Sequence, residues 1–230
     1  RAADAMGVHL CPITAALTAQ HSRGVDAVFP VAPTALQAQL KALAQDLPPK
    51  AIKTGLLGSV QAIEQVAYWV DHWRAQCPSG RDPHQHMALI VDPVLGATAG
   101  GAAFASDDII QAYRTHLLPR ATVLTPNRAE AKRLLHQAGR HDGPDADIPS
   151  LAGALQELGV RSVVITGGDA RGHSRATANF SLDWIQTPHA QGWLTASRIP
   201  STPKHSPGCT FVSGVVAACA LGHVEAPAMV

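Results

Sequence analysis

Cys209 stands in the run Lys204-His205-Ser206-Pro207-Gly208-Cys209-Thr210, directly before the apolar, small-residue stretch 211–221. A Gly-containing turn that feeds a helix start offers free backbone N–H groups and the positive end of the helix dipole. That setting receives phosphate and lowers a thiol pKa. Val212, Val215, Val216, Cys219 and Ala220 recur at helical spacing among Ser213, Gly214, Ala217 and Ala218, which predicts a buried, closely packed helix. A lone cysteine is more often a small packing hydrophobe than a reactive group, so the chemistry needs partners elsewhere in the chain.

Three apolar, β-branched runs supply them. Residues 89–94 end in Asp92-Pro93-Val94, residues 121–125 lead into Pro126-Asn127 with Glu130 following, and Ser162–Thr166 leads into Gly167-Gly168-Asp169. Singly, each has a structural alternative: Asp92 as a cap, Asn127 in an Asx turn, Glu130 as a solvated helix-start carboxylate. Together they mark one working edge of a sheet.

Helical and extended patterns alternate along the chain in a way that would build such an edge. Strands are expected at 8–13, Ala51–Thr54, 89–94, 121–125 and Ser162–Thr166. Helices are expected at Pro33–Asp46, from a Ser59 cap to Gln76, from Ser106 to His116, over 128–137, and over 149–158 with Gly159 as the C′ residue. Beyond Gly168, the polar stretch 169–181 reads as a loop that could cover a nucleotide, and 182–185 with 193–195 as an antiparallel pair. Regular alternation predicts an α/β fold with an open, mostly parallel sheet and helices on both faces.

The motifs Ile13-Thr14-Ala15-Ala16-Leu17-Thr18-Ala19-Gln20, Lys53-Thr54-Gly55-Leu56-Leu57-Gly58-Ser59, Val91-Asp92-Pro93-Val94, Thr125-Pro126-Asn127, Gly167-Gly168 and Gly208-Cys209-Thr210 stand in one order over nearly the whole chain. In order and spacing the chain resembles the hydroxymethylpyrimidine/phosphomethylpyrimidine kinases of thiamine biosynthesis, within the ribokinase-like superfamily. The resemblance implies one kinase domain over 1–230 and ATP-dependent phosphorylation of the pyrimidine alcohol and its monophosphate. It further implies a cytoplasmic enzyme, a homodimer, and ATP with Mg²⁺ as cofactors. Cys209 matches the catalytic base, and Ser206 and Gly208 the anion hole. Thr18, Gln20, Leu56 and Val94 match the pyrimidine site; Asp92, Asn127, Thr166, Gly167 and Gly168 the ATP site; Asp92 and Glu130 the surroundings of Mg²⁺.

Two other readings stay open: a pyridoxal-type kinase, since a hydroxymethyl heteroaromatic ring fits similar chemistry, and, favoured by departures from the family pattern, a non-catalytic pyrimidine- or nucleotide-binding relative. Ser206-Pro207 stands where the family usually has Gly-Thr or Gly-Ser, and Pro207 has no N–H to donate. Lysines common in the family are absent at Thr98 and Thr166, so phosphate charge would fall to Lys204, Arg171 or another cation. A first strand and a Gly-rich turn with an aspartate are expected ahead of Arg1.

Composition narrows the partners. The 230 residues are 46% hydrophobic with a net charge of +1, enough for a sizeable core and too neutral to attract nucleic acid. No apolar run reaches membrane-spanning length. Cys11, Cys77, Cys209 and Cys219 lack Cys-x-x-Cys spacing, which argues against a disulfide framework or structural zinc. His84 and His86 read as part of a solvated loop over 81–86, with metal binding a weaker alternative, and 139–147 as another loop.

Overall fold

The computed structural model describes residues 2–21, 24–96, 105–136, 147–167, 180–197 and 207–223. Six strands form the main sheet in plain sequence order: β3 (Ala51–Thr54), β4 (Ala88–Val91), β5 (Val123–Leu124), β6 (Ser162–Thr166), β7 (Phe180–Gln186) and β8 (Gln191–Ser197). The first four are parallel and the last two antiparallel. Strands β1 (Ala16–His21) and β2 (Gly24–Pro30) form a separate antiparallel ribbon.

Alternation along buried strands assigns their two faces. Leu89, Val91, Leu124, Val163 and Ile165 join one core cluster, and Ala88, Ile90, Val123 and Val164 the other. Every residue of β4 is buried, as a central parallel strand covered on both sides requires. The first cluster lies under the crossover helices. In α3 (Val60–Arg74), Ile63, Val66, Ala67, Val70 and Trp73 form the buried stripe, and the Ser59 hydroxyl caps the start by accepting from Ala62 N at 3.2 Å. Helix α5 (Asp107–Ala112) is capped by Ser106 and widens into a π turn, Tyr113–Leu117. Helices α6 (Arg128–His136) and α7 (Ile148–Glu157) complete this layer.

After α7, Gly159 adopts φ +98°, and a Cβ there would stand 3.0 Å from Pro119 Cα. The expected C′ glycine is thus required twice over, by conformation and by space. The opposite face of the sheet is covered by α8 (Pro207–Ala220), which packs on β3 and β4 and in turn carries the short α1 (Ala2–Ala5). Val212, Val215 and Val216 supply its buried side. Helices on both faces are therefore observed.

Two sequence expectations are corrected. Residues 8–15 form no strand: Gln39 of α2 (Pro33–Asp46) accepts from Thr14 N at 3.0 Å and donates to Thr14 O at 3.1 Å. A side chain satisfies the backbone groups that a neighbouring strand would otherwise take. Residues 81–86 are no solvated loop either. Pro83–His86 is one helical turn, α4, capped by Asp82, and His84 Nδ1 lies 3.2 Å from Arg74 Nη2 and 3.0 Å from Thr122 Oγ1. The expected antiparallel pair is present and longer than the sequence suggested. Trp184 faces Trp193 across it, with ring centroids 5.3 Å apart.

Candidate active site

Parity along the strands sends three side chains to one place. Ala51 and Lys53 share the α8 face of β3, while Ala88, Ile90 and Asp92 share the α8 face of β4 and its extension. Lys53 Nζ reaches Asp92 Oδ2 at 3.2 Å. From the first turn of α8, the Cys209 thiol donates to the same Oδ2 at 3.7 Å. A cation, a carboxylate and a thiol thus converge at the carboxyl edge of the parallel strands, where open α/β sheets bind ligands.

The electrostatics differ from the sequence expectation of a depressed thiol pKa. Burial pushes the Cys209 thiol above its ordinary value. Lys53, which also bonds the thiol, pulls it down, and Asp92 pushes it up again. Loss of water and a facing carboxylate outweigh the cation.

Behind this trio lies a second acidic group. Glu130 Oε2 accepts from Asn127 N at 3.0 Å and Oε1 from Leu95 N at 3.5 Å, while Asn127 Oδ1 accepts from Glu130 N at 2.9 Å. Burial raises the Glu130 carboxyl to about 7, against the hydrogen bond from Asn127 and with Asp92 adding to the rise. Arg133, one turn on, donates to Leu95 O at 2.9 Å and Ala105 O at 2.8 Å. Tyr113, fully buried in the π turn, donates to Gly55 O at 3.4 Å. Its phenol is held above the ordinary range by burial and then by Asp92 and Glu130.

The other predicted site residues are spread along the same edge. Thr166 ends β6, and its N–H donates to Pro126 O at 3.0 Å beside the Asn127 bridge. Gly167 N donates to Asp183 Oδ1 at 2.9 Å. A Cβ on Gly167 would collide with Leu182 O, which explains the glycine. Thr18 and Gln20 lie exposed on β1. Leu56 belongs to the turn that carries this ribbon, since a Cβ on Gly58 would stand 3.1 Å from Ala16 Cβ. Val94 follows Asp92, and Gly208 is the exposed second residue of α8. Ser206, Gly168, Thr98, Lys204 and Arg171 fall outside the described residues, as does most of the loop expected at 169–181.

Sequence reading missed Lys53 and Tyr113 as site residues. The two-residue step from Ala51 carried the signal for Lys53; nothing local marked Tyr113. Among the described residues, no three His, Cys, Asp or Glu side chains cluster as a metal site. Asp92 and Glu130 nevertheless fit Mg²⁺ of the shared kind, since each keeps carboxylate lone pairs that the described residues do not use.

A profile of the Phosphomethylpyrimidine kinase family matches residues 1–229. This chain belongs to that family. A hydroxymethylpyrimidine/phosphomethylpyrimidine kinase of Synechococcus elongatus is 36% identical over 212 residues, covering 92% of this chain and 72% of the relative. The pyridoxal kinase of Staphylococcus aureus in complex with ADP superposes with a TM-score of 0.78 at 25% identity, covering 99% of this chain and 76% of the other. Phosphomethylpyrimidine kinase from Clostridium difficile shares the fold with a TM-score of 0.74 at 22% identity, over 99% and 85% of the two chains. The chain is thus a ribokinase-like phosphotransferase of the phosphomethylpyrimidine kinase family. No helix among the described residues is long and apolar enough to cross a membrane.

Proposed function

We propose that this chain transfers the γ-phosphoryl group of ATP to 4-amino-5-hydroxymethyl-2-methylpyrimidine and then to the resulting monophosphate. The observation that carries the reading is the Cys209 thiol meeting Asp92 at the start of α8, within a chain of this family. The substrate hydroxyl oxygen attacks the γ-phosphorus, and the bond to the β,γ-bridging oxygen breaks with its electron pair leaving on ADP. The hydroxyl proton passes to Cys209 Sγ.

Because burial raises the thiol, the Lys53 ammonium that bonds it is the group that favours the thiolate, and the thiol's own proton leaves to water beforehand. The helix start with Gly208, and Ser206 before it, would receive the phosphoryl oxygens. Mg²⁺ would be held by Asp92, with Glu130 reaching it through water, and would offset phosphate charge. Thr18, Gln20, Leu56 and Val94 would form the pyrimidine pocket. Asn127, Thr166, Gly167 and Gly168 would line the nucleotide. We take the chain as one kinase domain acting in the cytoplasm as a homodimer.

The likeness to a solved pyridoxal kinase supports a second reading, phosphorylation of pyridoxal. ADP release measured with each alcohol separates them. Turnover on the pyrimidine with a higher kcat/KM is the expected result. A preference for pyridoxal reverses the assignment, and nucleotide binding without ADP release on either alcohol favours the non-catalytic relative.

A further inference from the structure

We infer that Lys53 is a ligand for the phosphate ester of the second acceptor: its ammonium receives the monophosphate and makes the second transfer possible. The inference rests on the two-step reading above. It begins from geometry, since Lys53 Nζ and Cys209 Sγ converge on a single oxygen, Asp92 Oδ2, at 3.2 and 3.7 Å. Whatever oxygen hands its proton to Sγ must lie against Sγ, and so beside Nζ.

The ammonium is also presented to a ligand. The Lys53 side chain is 21% exposed, enough to meet a bound molecule and too little to wander. Its head lies over Gly55, where a Cβ would stand 3.7 Å from Nζ, and Tyr113 fixes the Gly55 carbonyl beneath it. Backbone register keeps the head beside Asp92, because Thr54 pairs with Val91 immediately before it.

Charge then separates the two transfers. In the first, the attacking oxygen belongs to a neutral alcohol, and the Asp92 carboxylate nearby costs it little. In the second it belongs to a phosphate monoester carrying about −1.5 to −2, placed close to that carboxylate. Like charges so near each other repel strongly in a partly buried site. A fixed ammonium between them offsets the carboxylate and bonds the phosphate directly. In this step a monoester oxygen attacks the γ-phosphorus, the β,γ-bridging bond breaks, and ADP leaves with the electron pair. Any proton on the attacking oxygen passes to Sγ.

The test compares the two acceptors in Lys53→Met, Lys53→Gln and Lys53→Arg, using both kcat/KM and acceptor binding by calorimetry. For the neutral variants, kcat/KM and affinity for the monophosphate should fall about tenfold more than for the alcohol. Lys53→Arg, which keeps the charge, should restore most of that ratio. The binding arm stands without turnover, so a wild type that binds both acceptors and phosphorylates neither overturns the functional reading alone. Equal losses on both acceptors would show that Lys53 merely holds Asp92 in place, and would overturn the inference. A lost ratio that arginine does not restore would overturn it too.

Discussion

Asn127 and Glu130 cap each other across the first turn of α6: the Asn127 side chain accepts from Glu130 N at 2.9 Å, and the Glu130 carboxylate accepts from Asn127 N at 3.0 Å. This is a capping box with asparagine in the leading position. The other Glu130 oxygen reaches Leu95 N beyond β4, so one acidic side chain joins the ends of two adjacent strands. Two residues assigned to ATP and metal by resemblance thus also carry the local architecture.

Stability should therefore depend on pH through Glu130. Its folded pKa of about 7 lies above the ordinary 4.5, so between these values the folded protein holds a proton that the unfolded chain has released. The contribution is fully present below the ordinary value and is lost as pH rises to about 7. Urea melts across this window should show the decline in wild type and a flatter profile in Glu130→Gln. An unchanged slope in the variant would assign the effect to another group.

Cys209→Ser should lower kcat by about 10²-fold or more, because a hydroxyl is a far weaker proton acceptor at neutral pH. ATP affinity and melting temperature should stay near wild type. In the wild type, kcat/KM should climb with pH into the raised range of the thiol, since the base works deprotonated. Cys219→Ser, on the same helix, is the control. Comparable turnover in Cys209→Ser would remove the thiol from the mechanism.

Thr54→Val should stabilise the fold. Thr54 is buried at the end of β3, and its hydroxyl has no hydrogen-bond partner among the described residues. Replacing an unpaired buried hydroxyl with a methyl should add about 1 kcal/mol. Calorimetric melting gives the sign directly, and a lower melting temperature would mean that the hydroxyl is satisfied in solution.

Gly167→Ala should be severely destabilising. The added Cβ meets Leu182 O, a backbone atom that cannot turn aside. A loss on the order of 2–4 kcal/mol follows from overpacking, and nucleotide binding should weaken with it. Wild-type melting behaviour in this variant would mean that β6 and β7 separate there at little cost.

Much of this was legible in the chain. The strand at β4, the Ser59 and Ser106 caps, Gly159 and the burial of α8 follow from patterns a few residues long. Asp92 and Cys209 were identified one at a time, from a strand end and a helix start. Their contact was not legible, because it spans 117 residues of sequence and depends on which face α8 covers. Residues 8–13 looked extended because they are largely apolar, yet no strand pairs with them, and Gln39, far along the chain, takes both backbone groups of Thr14 at their end. The thiol pKa was misjudged for a similar reason: the helix start is local, whereas Asp92 arrives from elsewhere.

The plain sequence order of the sheet also has a bearing on synthesis. Strands β3 to β6 can pair one after another as they leave the ribosome, each next to its predecessor, which keeps their contacts relatively local. Helix α8 follows all six strands and must return to β3 and β4, the earliest strands of the sheet. Until it docks, the growing chain can hold Lys53 beside Asp92 but lacks the thiol, and the α8 face of the sheet is bare. Competence for phosphoryl transfer and protection of that apolar face therefore arrive together, when α8 docks, and a nascent chain stalled before Cys209 would be both inert and prone to aggregate.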